Sequence, residues 1–198
     1  MKTEQIQKRK TEYDIDKIFV ERSSPRAMSG EEISDSELMP LFEAARWAPS
    51  NSNNQPWRFV YAKRNTENWD KFFDLLMEGN KTWAKNASAL VIMLSRKRME
   101  YKDYPNKTHS FDTGSAWMSL ALEGARRNLV VHGMGGFDYD KAKEMLGLTD
   151  LYNVEAMAAI GKYADKKVLT PKDQEREKPS LRKKVNEIAF EGKFDSEK

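Results

Sequence analysis

Residues 48–59 read Ala-Pro-Ser-Asn-Ser-Asn-Asn-Gln-Pro-Trp-Arg-Phe, and between the two prolines stand Ser50, Asn51, Ser52, Asn53, Asn54 and Gln55, a row of uncharged donors and acceptors. Such a row suits a flat ligand rich in carbonyls, ring nitrogens and hydroxyls; an Asn-rich surface turn has the same composition. Pro49 ends the preceding helix, because the residue before a proline is pushed out of the helical region, and Pro56 stiffens the exit before Trp57. Nearer the N-terminus, Arg22-Ser23-Ser24-Pro25-Arg26 sets two guanidinium groups around two hydroxyls and a rigid proline. The planar guanidinium fork pairs with phosphate oxygens two at a time and stays charged at any relevant pH, although the same residues also suit a solvated turn. A third segment, Gly133-Met134-Gly135-Gly136-Phe137, brings bare backbone close to something or allows a tight turn. It is no dinucleotide fingerprint, since the G-x-G-x-x-G spacing and the later acidic residue are missing, and there is no P-loop. Arg182, Lys183 and Lys184 form a short basic run that reads equally as an anion contact or a solvated helix face.

The elements around these segments follow from periodicity. Residues 1–20 read as a charged helix or arm that turns apolar at Ile15, Ile18, Phe19 and Val20. Ser34 and Glu37 have capping-box spacing, and Leu38, Leu41, Phe42 and Ala45 follow at helical intervals. Pro40 puts the first turn nearer Ser36, and the helix ends at Ala48, delivering the polar loop. Residues 58–62 alternate like a strand; 66–77 form an amphipathic helix with Trp69, Phe72, Phe73 and Leu76 inward; Asn80, Trp83 and Asn86 lie in a polar connection. The apolar run 87–95 is a strand buried on both faces. Residues 96–109, with Tyr101, Tyr104 and Pro105, make an excursion over a site or across the surface. Residues 112–129 form a helix apolar on most faces, either central to the core or packed on a second subunit. A strand over 130–137, a helix over 140–147, a strand over 154–163, a charged linker over 166–178 and a helix over 180–190 complete the chain. Strands and helices alternate irregularly, so the class is α/β in the α+β sense, with a mixed sheet flanked by helices on both faces.

Bulk properties narrow the function. The 198 residues suit one domain, with residues 1–14 as a peripheral arm and 191–198 as a frayed tail. Charged residues make up 33% and hydrophobic ones 39%, and a net charge of +3 is too small to argue for nucleic acid. The absence of cysteine removes disulfides, thiolate metal sites and cysteine nucleophiles. His109 and His132 have no metal-ligand spacing and read as packing or surface residues, so no metal is expected. The polar first ten residues carry no secretory signal, and no stretch nears the roughly 18 apolar residues that span a bilayer, so a cytoplasmic protein is expected.

Taken together, the arginine-serine segment, the Pro-Ser-x-x-Asn-x-Gln-Pro-Trp loop and the glycine turn resemble, in order and approximate separation, the nitroreductase family of FMN-dependent flavoproteins, over about residues 19–190. The resemblance implies an α+β intertwined homodimer with FMN at the subunit interface. NAD(P)H would reduce nitroaromatic, quinone or similar small acceptors by ping-pong hydride transfer through flavin N5. Carried across by motif position, Arg22, Ser23 and Ser24 would hold the FMN phosphate and ribityl end, with Arg182 completing the clamp. Arg26 would face the flavin pyrimidine and Asn80 would hydrogen-bond its edge. Met134, Gly135 and Gly136 would approach the ring near N5 and O4, while Pro49, Ser50, Asn51 and Asn53 would come from the other subunit. Trp83 stands where some members have lysine and Gly135 where some have glutamate. The flavin carries the redox chemistry, so no side chain is named as catalytic. Enone reduction, reductive dehalogenation or flavin breakdown on the same scaffold, or flavin binding without turnover, are the alternatives.

Overall fold

A computed structural model of the chain describes residues 9–178 and 180–194. Its framework is a four-stranded sheet in the order β1-β2-β4-β3, made of β1 (Trp57–Lys63), β2 (Ala89–Arg96), β3 (Leu129–Met134) and β4 (Tyr152–Lys162). Every neighbouring pair is antiparallel, so the α+β class holds while the strand directions differ from the mixed sheet expected. The reason lies in the connection: β2 and β3 run the same way, as a helical crossover demands, but β4 enters between them and pairs antiparallel with both. The β2–β4 ladder carries a bulge. Met93 pairs with Ala156 and Leu94 with Val154, which leaves Glu155 as the additional residue.

Helices cover both faces. On one side, α2 (Asp35–Arg46) and α5 (His109–Arg126) pack Leu38, Leu41, Ala116, Leu120 and Ala121 against Val91, Met93, Val131 and Ile160. On the other, α3 (Trp69–Phe73), α4 (Glu78–Ala84) and α6 (Tyr139–Met145) bring Phe72, Trp83 and Ala142 onto Leu90, Ile92, Val130 and Met157. β2 contributes to both clusters, which explains its unbroken apolar sequence.

Local chemistry moves several boundaries. The capping box forms, with Ser34 Oγ accepting from the Glu37 amide and Glu37 accepting from the Ser34 amide, so α2 starts at Asp35 and takes Pro40 into its interior. Proline costs that helix a backbone bond, and the fully buried Leu38, Leu41 and Ala45 offset the loss. The helix expected over 66–77 is only α3, because Leu76 leaves it to bridge Phe137 and the Met77 amide donates to the Gly136 carbonyl. The supposed polar connection after it is α4, whose Trp83 is 1% exposed. α5 begins at His109 and stops before Asn128, whose φ of +58° turns the chain into β3. α7 (Pro171–Arg176), capped by Thr170, interrupts the presumed linker.

At the ends, only α1 (Lys17–Glu21) is helical, with no buried residue, and residues 1–8 of the expected arm lie outside the described set. The helix read over 180–190 is absent: a 3-10 turn at Val185–Glu187 is all that forms, and Leu181 is 85% exposed. With no sheet face beneath it, helical spacing alone does not fold this segment. The expected tail extends beyond residue 194 into the undescribed set. Among the described residues no helix is long and apolar enough to cross a membrane, and no three His, Cys, Asp or Glu side chains gather as metal ligands.

Candidate functional site

The arginine-serine segment leaves α1 in extended backbone, and three distant parts of the chain pin it. Arg9 Nη1 donates to the carbonyls of Val20 and Arg22 at 2.8 and 2.9 Å. Glu177, just past α7, accepts from the amides of Arg26 and Ala27 at 2.8 and 3.0 Å. His132 on β3 donates from Nδ1 to the Pro25 carbonyl at 2.9 Å, its ring centroid 4.5 Å from that of Trp83. Burial is the main cause that pushes the His132 imidazole down to about 4, so it is neutral at pH 7 and serves as a fixed donor.

This segment forms one wall of a cavity of about 900 Å³, to which Arg22, Ser23, Ser24, Arg26 and Arg182 all contribute. The structure therefore gathers, from the two ends of the chain, the four residues expected at the phosphate end together with Arg26, expected at the pyrimidine. Arg9, which the sequence reading left in an arm, joins them. Burial depresses the Arg22 guanidinium, and the charges of Arg182 and Arg9 depress it further. Arg9 is lowered in the same way, by burial and then by Arg182. Glu31, Glu37, Asp165 and Glu177 also line this cavity, but the charges of Arg182 and Arg9 press on Arg22, and that of Arg182 on Arg9, a repulsion that a bound anion would relieve. Arg26 differs, because its Nη1 is 3.9 Å from Glu177. Tyr163 lies behind, hydrogen-bonded to Ser23 and pushed up by burial.

A second cavity of about 600 Å³ adjoins the first at Arg22 and Ser24, and Met134 and Gly135 line it. Its opposite wall is the N-terminal half of α5, where Trp117 comes so close to Gly133 that a Cβ there would lie 2.9 Å from the indole. At the end of the glycine turn, Asn80 Nδ2 donates to the Gly136 carbonyl at 2.9 Å, and a Cβ on Gly136 would meet that same nitrogen at 2.9 Å. Asn80 and Gly136, 56 residues apart, thus form one polar corner. Trp83, one of the two departures from the family pattern, packs against His132 in the core, the two rings tilted by 41°. Gly135, the other, is exposed, and a Cβ there would meet only the Tyr139 hydroxyl, at 3.6 Å.

The loop containing Pro49, Ser50, Asn51 and Asn53 borders neither cavity of its own chain. It is nonetheless held in costly backbone: Ser52, Asn53 and Gln55 have φ of +50°, +52° and +47°. The Gln55 amide donates to Ser50 Oγ at 3.0 Å, and the Asn51 amide donates to the buried Asp112 carboxylate at 3.2 Å. The excursion over 96–109 braces it from outside, since the Glu100 amide donates to Asn54 Oδ1 at 2.9 Å, Tyr101 hydrogen-bonds Ser52, and Arg58 pairs with Glu100. Outlying dihedrals so thoroughly overdetermined are typical of ligand clamps.

Comparison with known proteins bears on the family and the fold. A family model described as the nitroreductase family matches residues 19–82 and 76–162. A crystal structure described as an oxidoreductase containing FMN is 46% identical, with a TM-score of 0.90 over 94% of this chain and 96% of that one. A provisionally named NADH dehydrogenase/NAD(P)H nitroreductase of Archaeoglobus fulgidus is 25% identical over 155 residues, 76% of this chain and 86% of that protein. In fold, the chain is similar to a provisionally named nitroreductase of Exiguobacterium sibiricum solved with FMN. There the TM-score is 0.72 at 22% identity, over 92% of this chain and 99% of that one.

Proposed function

The chain belongs to the nitroreductase family, and from that premise we propose that it is an FMN-dependent oxidoreductase drawing electrons from NADH or NADPH. Its acceptor is a nitroaromatic, a quinone or a similar small molecule. The observation that carries this reading is the trio Arg9, Arg22 and Arg182, three guanidinium groups lining one cavity, where the charge of Arg182 presses on both of the others. A phosphate monoester supplies what they lack, up to two negative charges and three acceptor oxygens. Ser23 and Ser24 add hydroxyl donors beside them. The bare backbone of Met134, Gly135 and Gly136 lets a planar ring approach, with Asn80 held at the same corner by its bond to Gly136. Arg26, steadied by Glu177, is the cation for the pyrimidine side.

FMN, when bound, would supply two-electron redox chemistry between a nicotinamide and an acceptor, in a ping-pong sequence. The protein's part is to grip the phosphate, orient the ring and set its field. A cationic side chain or backbone donor aimed at the charge that develops on the ring is worth about 3 kcal/mol at the transition state.

We read the whole chain as one flavin-binding unit that works as a homodimer. Phe111 is 78% exposed, Met118 joins it on the outer face of α5, and Leu181, Ile188 and Phe194 are exposed near the C-terminus. Apolar surface of this kind favours a protein interface. In the dimer, Pro49, Ser50, Asn51 and Asn53 would serve the partner's flavin, which accounts for a stiff polar loop that borders neither of the two cavities described. A nicotinamide reductant fits the cytoplasm.

The test is anaerobic mixing of the yellow protein with NADH or NADPH. Bleaching that reverses on adding a nitroarene or quinone supports the reading. Protein that stays colourless after incubation with FMN overturns it, and yellow protein that neither nucleotide bleaches is a flavin carrier without turnover.

A further inference from the structure

Reduction of a quinone-type acceptor consumes a proton as well as a hydride, and the smaller cavity has a group suited to give one. Among the described side chains lining it only Arg22 and Glu155 are charged; the rest of its wall is mainly Met93, Trp117, Met118 and the glycine turn. Glu155 is the bulge residue of β4. In an unbroken ladder the strand's alternation would set its direction, and bulges re-aim side chains in just this way, often beside active sites. The bulge aims Glu155 at the N-terminus of α5, where its carboxylate accepts from Ser110 Oγ at 2.6 Å and from Ser95 Oγ. Ser95, fully buried, lies 2.7 Å from His109 Nδ1, and the His109 and Glu155 side chains are 21% and 22% exposed.

The hydrogen-bond directions in this chain are fixed by inventory. An ionised carboxylate only accepts, so the single proton of Ser95 Oγ goes to Glu155, and the serine oxygen must accept from His109, which therefore carries its proton on Nδ1. The result is a one-way row, His109 Nδ1–H to Ser95 Oγ–H to Glu155, which ends at the cavity wall; Ser110 Oγ, 3.2 Å from the same nitrogen, is the longer contact. Burial pushes the Glu155 carboxyl up, but hydrogen bonds from Ser110, Ser95 and Asn153, with the His109 ring beside them, outweigh it and hold the carboxyl below its ordinary value. It therefore rests ionised and releases a proton as soon as it is given one.

We infer that Glu155, Ser95 and His109 form a proton relay serving a quinone-type acceptor in this cavity. The inference rests on the flavin reading above, which supplies the reductant. The acceptor gains a hydride, with its electron pair, from the reduced flavin and is left with one oxygen as an anion. That oxygen takes a proton from the Glu155 carboxyl. Glu155 takes its proton from Ser95 Oγ, and Ser95 takes the one on His109 Nδ1 as Nε2 of the same ring takes a proton from solvent, so the imidazole stays neutral and returns to its Nδ1–H form by exchange with solvent. The balance is one acceptor, one hydride and one proton to one dihydro product. Glu155 is the group that meets the acceptor; Ser95 and His109 act through it.

Stopped-flow reoxidation of the prereduced, flavin-loaded protein separates the steps, with benzoquinone as the proton-requiring oxidant and ferricyanide, which takes electrons alone, as the control. Glu155→Gln and Ser95→Ala should each slow benzoquinone at least tenfold, with bleaching by NAD(P)H and ferricyanide reoxidation within twofold of wild type. Equal loss with both oxidants marks a structural effect and overturns the relay, as does an unchanged benzoquinone rate. A readout independent of turnover is the 15N spectrum of the ring of His109, one of only two histidines. In the neutral ring of the wild type the proton should sit on Nδ1, and Ser95→Ala should shift it toward Nε2. A wild-type ring protonated on Nε2 refutes the relay even where one variant fails to fold. Wild-type protein that no nucleotide bleaches refutes the flavin reading and leaves this spectral test standing.

Discussion

His132 couples the anion-gripping segment to pH, and replacing it tests how that segment is held. In the folded protein burial holds the ring at about 4, against 6.5 for a free imidazole. Above pH 6.5 neither state binds the proton and the group is indifferent to pH. Below that value the unfolded chain takes up a proton that the folded one refuses, so stability falls until about pH 4, where both states are protonated. Each pH unit in that window removes up to about 1.4 kcal/mol, or roughly 3 kcal/mol across the whole of it. His132→Gln removes the titration while leaving an amide donor near the Pro25 carbonyl. At pH 8 the variant should be the less stable, by about 1–2 kcal/mol, for the lost ring contact with Trp83 and a poorer hydrogen bond. By pH 4.5 the gap should close or reverse, a swing of roughly 2–3 kcal/mol. Urea titrations of flavin-free protein at half-unit intervals measure this, and subtracting the two curves cancels the carboxylates common to both. Parallel curves between pH 6.5 and 4.5 would show that the folded ring titrates as freely as the unfolded one, and the picture of a buried neutral donor would be wrong.

Three other outcomes follow from the geometry. Arg22→Ala should lose FMN on gel filtration while the chain stays folded, its affinity down by about 10- to 100-fold for one lost charge-assisted interaction; stoichiometric retention of flavin would refute the phosphate assignment. Gly124→Ala should destabilise by about 1–3 kcal/mol in urea, the reverse of the usual gain for alanine in a helix, because its Cβ would lie 2.3 Å from Val131 Cγ2. Gly136→Ala should push Asn80 off the Gly136 carbonyl, seen as a shifted Asn80 side-chain amide resonance and weaker FMN binding; an unmoved resonance would mean the corner is looser than its distances indicate.

Legibility in the sequence followed the range of the interactions. The capping box at Ser34 and Glu37 and the apolar run of β2 are local patterns, and both are where they read. α4 was hidden because its polar Glu78, Asn80 and Lys81 mask the buried Trp83 that follows them. The spacing of Leu181, Val185 and Ile188 promised a helix that needs a surface the single chain does not supply. At the site, Arg22 through Arg26 and the glycine turn could be read as motifs, and Arg182 joins them in space. Arg9, His132 and Glu177 could not be read, because each matters through a backbone group of the 20–27 segment that only the fold brings near. Glu155 was the least visible of all, since a bulge shifts the alternation from which its direction would be judged.

The strand order also governs how the molecule must be made. β4 is the last strand to leave the ribosome and the one that belongs between β2 and β3. Until residue 162 has emerged, the hairpin of β1 and β2 can close, but β2 keeps a bare inner edge and β3 has nothing to pair with. Such non-local closure slows folding and leaves adhesive edges waiting in the nascent chain. A product truncated before residue 152 would carry both open edges permanently, which makes it a substrate for chaperones or a seed for aggregates, never a smaller working enzyme.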